Sequence, residues 1–211
     1  MVMNVKIQTK IGVRPYRFKQ KQLYQMVDAN VFPERTRVEL VAGLVVKLPP
    51  KDAPHCFAVC ALGALLRPFL NDEWRVFEEK TLEIGRHWLL DPDINVIRGP
   101  WQRYWNANPT PPDSGLIIEV AESTYLYDRR VKWRKYAAAG ISTYWIVNLN
   151  ARRIEVFTEP QGAGKLAKYG GEEHFGPEEQ VPVVLEGREI GRIRVGEILP
   201  RTNRPEETSK E

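Results

Sequence analysis

The stretch LIIEVAESTYLYDRRVKWRKYAAAGISTYWIVNL, residues 116–149, decides the fold. It begins with a short run of aliphatic and β-branched residues, 116–121, which reads as a strand. Ser123, Thr124 and Asp128 offer caps before a helix over 129–139, and Gly140 stops that helix. A second strongly apolar strand occupies 143–149, and 154–157 reads as pairing back with it across a turn at Asn150. Strand, helix, strand is the unit from which a helix-covered sheet is built. One residue breaks the pattern: Glu119 interrupts Leu116-Ile117-Ile118 and Val120-Ala121. An ionised carboxylate is expensive to bury unless a cation meets it.

The same anomaly recurs upstream. Asp93 precedes Ile94, Val96 and Ile97, and Glu39 sits between Val38 and Leu40-Val41. Acids on the strands of one small protein point to a shared cation, most simply a divalent metal. Asp93, Glu119 and the Val120 carbonyl, joined by Glu39, would form an oxygen-rich site of the kind Mg²⁺ or Mn²⁺ prefers. Such a metal polarises a phosphoryl oxygen and delivers hydroxide to phosphorus. Lys132, on the helix after the Glu119 strand, is the candidate positioning cation, with Lys135 in reserve. Asp128, Lys132 and Lys135 fall on one face of a regular helix. The basic run of Arg129, Arg130, Lys132, Arg134 and Lys135 is either a solvated face or a surface that contacts phosphates.

Outside this block the pattern gives a first helix over 18–29, with Phe18, Leu23, Met26 and Val27 as its apolar side. A hairpin follows, 37–41 and 44–48, turning at Gly43. A second helix runs over 54–70, and Pro68 shortens it. Strands are expected over 74–79, 81–84, 92–97, 181–185 and 189–195. His55 stands at the entrance to the second helix, as a structural cap or with a role at the site. With Cys56 and Cys60 it lacks zinc-site spacing, and the cysteines read as small core residues. Tyr136, Tyr144 and Trp145 read as core. The insertion holding Trp101, Arg103, Tyr104 and Trp105 could stack on bases. Covering a sheet edge or forming an interface is the favoured reading.

Composition bounds the answer. The 211 residues are 43% hydrophobic and 27% charged, as in ordinary globular proteins, with a net charge of +4. No apolar run approaches the roughly 18 residues of a membrane span. The N-terminal residues lack the features of a signal peptide, and two cysteines make no secretory framework, so a reducing cytoplasm is expected.

The segments PDINVI (92–97) and LIIEVAESTYLYDRRVKWRKYAAAGISTYWIVNLNARRIEVF (116–157) resemble the Uma-type restriction endonuclease family. That family lies within the PD-(D/E)XK nuclease superfamily. RVELVAGLVVKLPP with the following His55, and YRFKQKQLYQMV at 16–27, are similar to its N-terminal part. The resemblance implies an α/β fold, a restriction-endonuclease-like mixed β-sheet flanked by helices, and metal-dependent phosphodiester hydrolysis. It matches Asp93 to the aspartate of the PD element, Glu119 to the acid of the (D/E)XK element and Glu39 to an early acidic position. Ala121 stands where the superfamily has its lysine, and Lys132 stands where the Uma-type pattern has one on the following helix. Asn148 replaces a frequent aspartate. Glu79 replaces a frequent glutamine and could act, like His55, from behind the metal ligands.

The expected organisation is an extension over 1–14, one nuclease-like domain over 15–200 and a polar tail over 201–211. The expected function is metal-dependent cleavage of DNA, most simply duplex, by a homodimer with no membrane attachment. In that reading Arg129, Arg130, Arg134 and Lys135 hold the backbone. The alternative is a catalytically degenerate module that binds nucleic acid or a partner protein.

Overall fold

Strand β7 (Ser114–Ala121) is buried along all eight of its residues, as its near-continuous apolar sequence requires. The computed structural model describes residues 14–201; the expected extension lies almost wholly outside them, and the tail lies outside them beyond Arg201. The described chain divides into a smaller unit, up to Pro49 plus Glu83–Leu90, and a larger one comprising Pro50–Leu82 and the chain from Asp91 onward.

In the smaller unit, helix α1 (Gln20–Asp28) accompanies a hairpin of β1 (Val38–Val41) and β2 (Leu44–Lys47). Its turn, Ala42-Gly43, has φ of 51° and 80°, the left-handed pair that a two-residue hairpin needs. The sheet order is β2-β1-β5-β4, with β4 at Leu82–Glu83 and β5 at Leu89–Leu90. Leu23, Leu40 and Leu89 form its core. Of the apolar side expected for α1, Leu23 is buried and Val27 is exposed.

The larger unit is built on a six-stranded sheet in the order β10-β9-β8-β7-β6-β3. Its strands are β3 (Trp74–Glu78), β6 (Ile94–Arg98), β7, β8 (Thr143–Asn148), β9 (Arg153–Gln161) and β10 (Lys168–Phe175). The β7–β8 pair is parallel and the others are antiparallel, so the sheet is mixed. On one face, helix α2 (Ala53–Leu66) packs Val59, Leu62 and Leu66 into a core with Leu116, Ile118 and Val120. The hairpin of β11 (Gln180–Leu185) and β12 (Arg188–Arg194) adds Val181, Val183 and Ile193 to that core. On the alternate face of β7 stand Ile117 and Glu119. The helical segment α3 lies there: α-helical at Tyr125–Tyr127, π-helical at Asp128–Lys132 and α-helical again at Trp133–Ala138.

Several expectations are corrected. Cys56 and Cys60 are exposed, not core, because α2 buries the stripe of Ala58, Val59, Leu62, Gly63 and Leu66, and the cysteines lie off it. The α-helix ends at Leu66 and continues as a 3₁₀ turn through Phe69, since Pro68 has no N–H to extend it. The glycine-rich region after β9 contains β10. A Cβ at Gly171 would meet the Thr158 hydroxyl, so a larger residue there needs that side chain to turn aside. The helix expected from Arg129 begins four residues earlier and contains a π turn.

Candidate active site

Asp93 lies one residue ahead of β6 rather than within a strand. Pro92 cannot donate to a ladder, and the Asp93 side chain takes over what a backbone carbonyl would do. Its Oδ2 accepts a 2.8 Å hydrogen bond from the buried backbone N–H of Val120. One step on from the Ile94↔Ile118 pair, this sets Asp93 across from Glu119. Both carboxylates are buried, at 4% and 2% exposure, so each needs a counter-charge.

Lysines supply it. Lys51, just ahead of the α2 N-cap Asp52, reaches Asp93 Oδ1 at 2.6 Å and Glu79 Oε1 at 3.0 Å. His55 Nε2 lies 3.1 Å from the same Asp93 oxygen, and the His55 backbone N–H donates to Asp52 Oδ1. Glu79, in the left-handed region at φ 54°, donates its backbone N–H to the Asp93 carbonyl. On the other side of the pair, Lys132 Nζ donates to Glu119 Oε1 at 2.9 Å, and the Tyr136 hydroxyl donates to the same oxygen at 2.8 Å. Asp128 Oδ1 is 3.8 Å from Lys132 Nζ.

Burial works against ionisation of Asp93. The hydrogen bond from His55 and the charges of His55, Lys51 and Lys132 outweigh it and hold the carboxyl well below the usual range. It therefore stays ionised at any ordinary pH. Beside His55, the neighbouring Asp52 carboxylate pushes the Glu122 carboxyl up.

The site thus gathers Asp93, Glu119, Val120, Lys132, His55 and Glu79 from the sequence reading. It adds Lys51 and Tyr136. Lys51 sits in a loop after Pro49-Pro50 with no periodic signal. Tyr136 is core, as expected, and its spacing of four from Lys132 is the signal that it faces the same carboxylate. Glu39 is buried in β1 of the smaller unit. Arg129 is bonded to Glu172, Lys135 is half-buried, and Arg130 and Arg134 are exposed.

The donor chemistry fits a hard divalent ion. Two buried carboxylates on neighbouring chain segments, beside the Val120 carbonyl, are oxygen ligands whose charge already demands cations. A further group of metal-capable side chains, Glu155, Glu172 and His174, has its ligand atoms within 4.8 Å of one another. Glu155 Oε1 there is already bound by Arg153 Nη2 at 2.8 Å and Nε at 3.1 Å.

A family model, Uma2, described as "Putative restriction endonuclease", matches residues 21–192. The chain belongs to this family. Among solved structures, a protein from Anabaena variabilis described as "a putative nuclease belonging to DUF820" shares the fold, with a TM-score of 0.53. It is 17% identical over 82% of this chain and 96% of its own. No curated protein matches the chain. Among the described residues, no helix is long and apolar enough to cross a membrane.

Proposed function

We propose that this member of the family is a metal-dependent endonuclease that hydrolyses phosphodiester bonds of DNA. The observation that supports this reading is the Val120 N–H bond to Asp93 Oδ2, which ties the Asp93 carboxylate to the residue that follows Glu119. Asp93, Glu119 and the Val120 carbonyl would hold Mg²⁺ or Mn²⁺. When bound, such an ion polarises a phosphoryl oxygen and supplies hydroxide at neutral pH.

The protein's own groups do the rest. Lys132, fixed by Glu119 and Asp128, places an ammonium beside the phosphate on which charge develops, in place of the lysine that Ala121 lacks. His55 and Lys51 orient the Asp93 carboxylate. Lys51 has Glu79 as a second partner, so it can yield Asp93 to a metal without losing its own counter-charge. Arg130 and Arg134, both exposed, offer charge to the nucleic-acid backbone.

Ala121 favours one other reading, a degenerate module that binds DNA without cutting it. Calorimetric titration with Mn²⁺ and Mg²⁺ of the wild type and Glu119→Ala, paired with plasmid nicking, separates the two. Metal binding lost in the variant, with metal-dependent nicking in the wild type, is the expected result. A wild type that binds no metal at millimolar concentration and retains DNA in chelator would establish the binding module instead.

A further inference from the structure

The chain between β6 and β7 carries a feature that the catalytic reading leaves unused. Trp101 and Trp105 are 49% and 72% exposed, yet their rings lie 6.1 Å apart at 36°. The segment that presents them is tightly anchored. Tyr104, between them, is buried with its ring edge-on to Phe77 at 5.8 Å, and its hydroxyl donates to the Arg98 carbonyl at 2.7 Å. Asp113 caps the far end by accepting from both the backbone and the hydroxyl of Thr110. Pro100, Pro109, Pro111 and Pro112 stiffen the connection. Two large aromatic faces are thus held toward water by a rigid support.

The insertion leaves β6 at the end of the sheet away from Asp93. It then folds back along the sheet, because Lys80 Nζ donates to the Tyr104 carbonyl at 3.4 Å. Lys80 directly follows Glu79, whose carboxylate meets Lys51 at the site. Arg103, half-exposed on the same turn and paired with Asp113 at 3.0 Å, lies over the Tyr104 ring at 5.5 Å and adds a cation to the segment.

We propose that Trp101 and Trp105 are a stacking platform for unpaired bases of the strand that enters this site, with Arg103 and Lys80 facing its phosphates. This rests on the reading of nucleic acid as substrate and names its class: DNA with unpaired nucleotides flanking the cut, as in a single strand, a bubble or a frayed end. Aromatic faces interleaved with cations recognise unstacked bases whatever their sequence, since every base has a π face. A duplex keeps its bases stacked internally and offers none to the platform. Preorganisation of the rings lowers the ordering cost of binding.

The test is fluorescence anisotropy in EDTA, with a fluorescein-labelled oligothymidylate alone and annealed to oligoadenylate. The wild type is compared with Trp101→Ala/Trp105→Ala and with Trp105→Phe. The double variant should bind the single strand about tenfold or more weakly, the loss of at least one stacked base, with duplex affinity unchanged. Trp105→Phe should restore most of the loss. Equal loss for strand and duplex, or no loss, overturns the platform. So does a double variant that turns a dimer into a monomer in sedimentation without selective loss of strand binding, which would make the tryptophans a self-association surface. Nicking of plasmid by the same samples is scored separately. A protein that never nicks but loses single-strand binding with the tryptophans would refute the nuclease reading and leave the platform standing.

Discussion

Two buried carboxylate clusters on the central sheet differ in what neutralises them. At Asp93 and Glu119 the partners include lysines, each with a second acid within reach: Glu79 for Lys51 and Asp128 for Lys132. At Glu155, on β9, the main partner is an arginine. Arg153 grips Oε1 through two nitrogens, while Asn148 and Tyr125 donate to the same carboxylate and Arg129 approaches to 3.7 Å. Arginine's planar fork makes a fixed pairing, whereas an ammonium is a mobile point charge. A lysine-paired carboxylate can trade its cation for a metal; an arginine-clamped one is built to stay as it is. One acid cluster thus reads as chemistry and the other as architecture, although both look alike in sequence.

The largest expected effect falls on cleavage. Asp93→Asn or Glu119→Gln should lower metal-dependent nicking on the order of a thousandfold or more, while the circular dichroism spectrum stays native. Unchanged nicking in either purified variant would break the comparison on the side of chemistry. Next comes Glu155→Ala, which leaves the Asn148 and Tyr125 donors without their acceptor while partly exposed Arg153 turns to water, and should cost about 1–3 kcal/mol in denaturant unfolding. Asp93→Asn should cost clearly less, because Lys51 retains Glu79. Equal losses would show that both clusters are architectural.

Lys132→Met sharpens the division within the site. It should reduce nicking about a hundredfold, in the range seen for loss of one transition-state donor, with Mn²⁺ affinity by calorimetry retained. A variant that instead loses the metal would make Lys132 a support for Glu119 only.

The smallest effect concerns pH. Burial raises the hydroxyls of Tyr144 and Tyr169 well above the ordinary 10.0. Their contribution is complete below pH 10, where the unfolded tyrosine is also neutral. It is lost as pH rises further, because the unfolded state then sheds protons that the folded state keeps. The Tyr169 hydroxyl has no hydrogen-bond partner among the described residues, so Tyr169→Phe should leave neutral-pH stability nearly unchanged and flatten the alkaline fall. Chemical denaturation at neutral and strongly alkaline pH reads this directly.

The sheet's central strands were legible because burial on both faces forces apolar runs, and Glu119 was legible because it violates one. Asp93 was found the same way, although it proved to stand ahead of its strand. Lys51 was not legible: a lysine in a proline-flanked loop carries no periodic signal, and only the fold brings it to Asp93. Strand β10 was hidden by Gly170 and Gly171, which depress strand propensity. The cysteines misled because small residues on an apolar helix look buried until the packed stripe is known.

The π-helical stretch at Asp128–Lys132 has a consequence of its own. A helix has something like a reading frame, and this one contains a slip of a single residue. Deleting exposed Arg130 would let the segment wind as a regular α-helix, the more comfortable form. Because the wide turn takes up about one extra residue, the shortened helix would keep its two flanks in nearly the same orientation. Lys132 and Tyr136 would still converge on one oxygen of Glu119. Forcing the full set of residues into a regular α-helix is the harmful change: it would turn one flank by about 100° relative to the other and swing Lys132 and Tyr136 away from the strand.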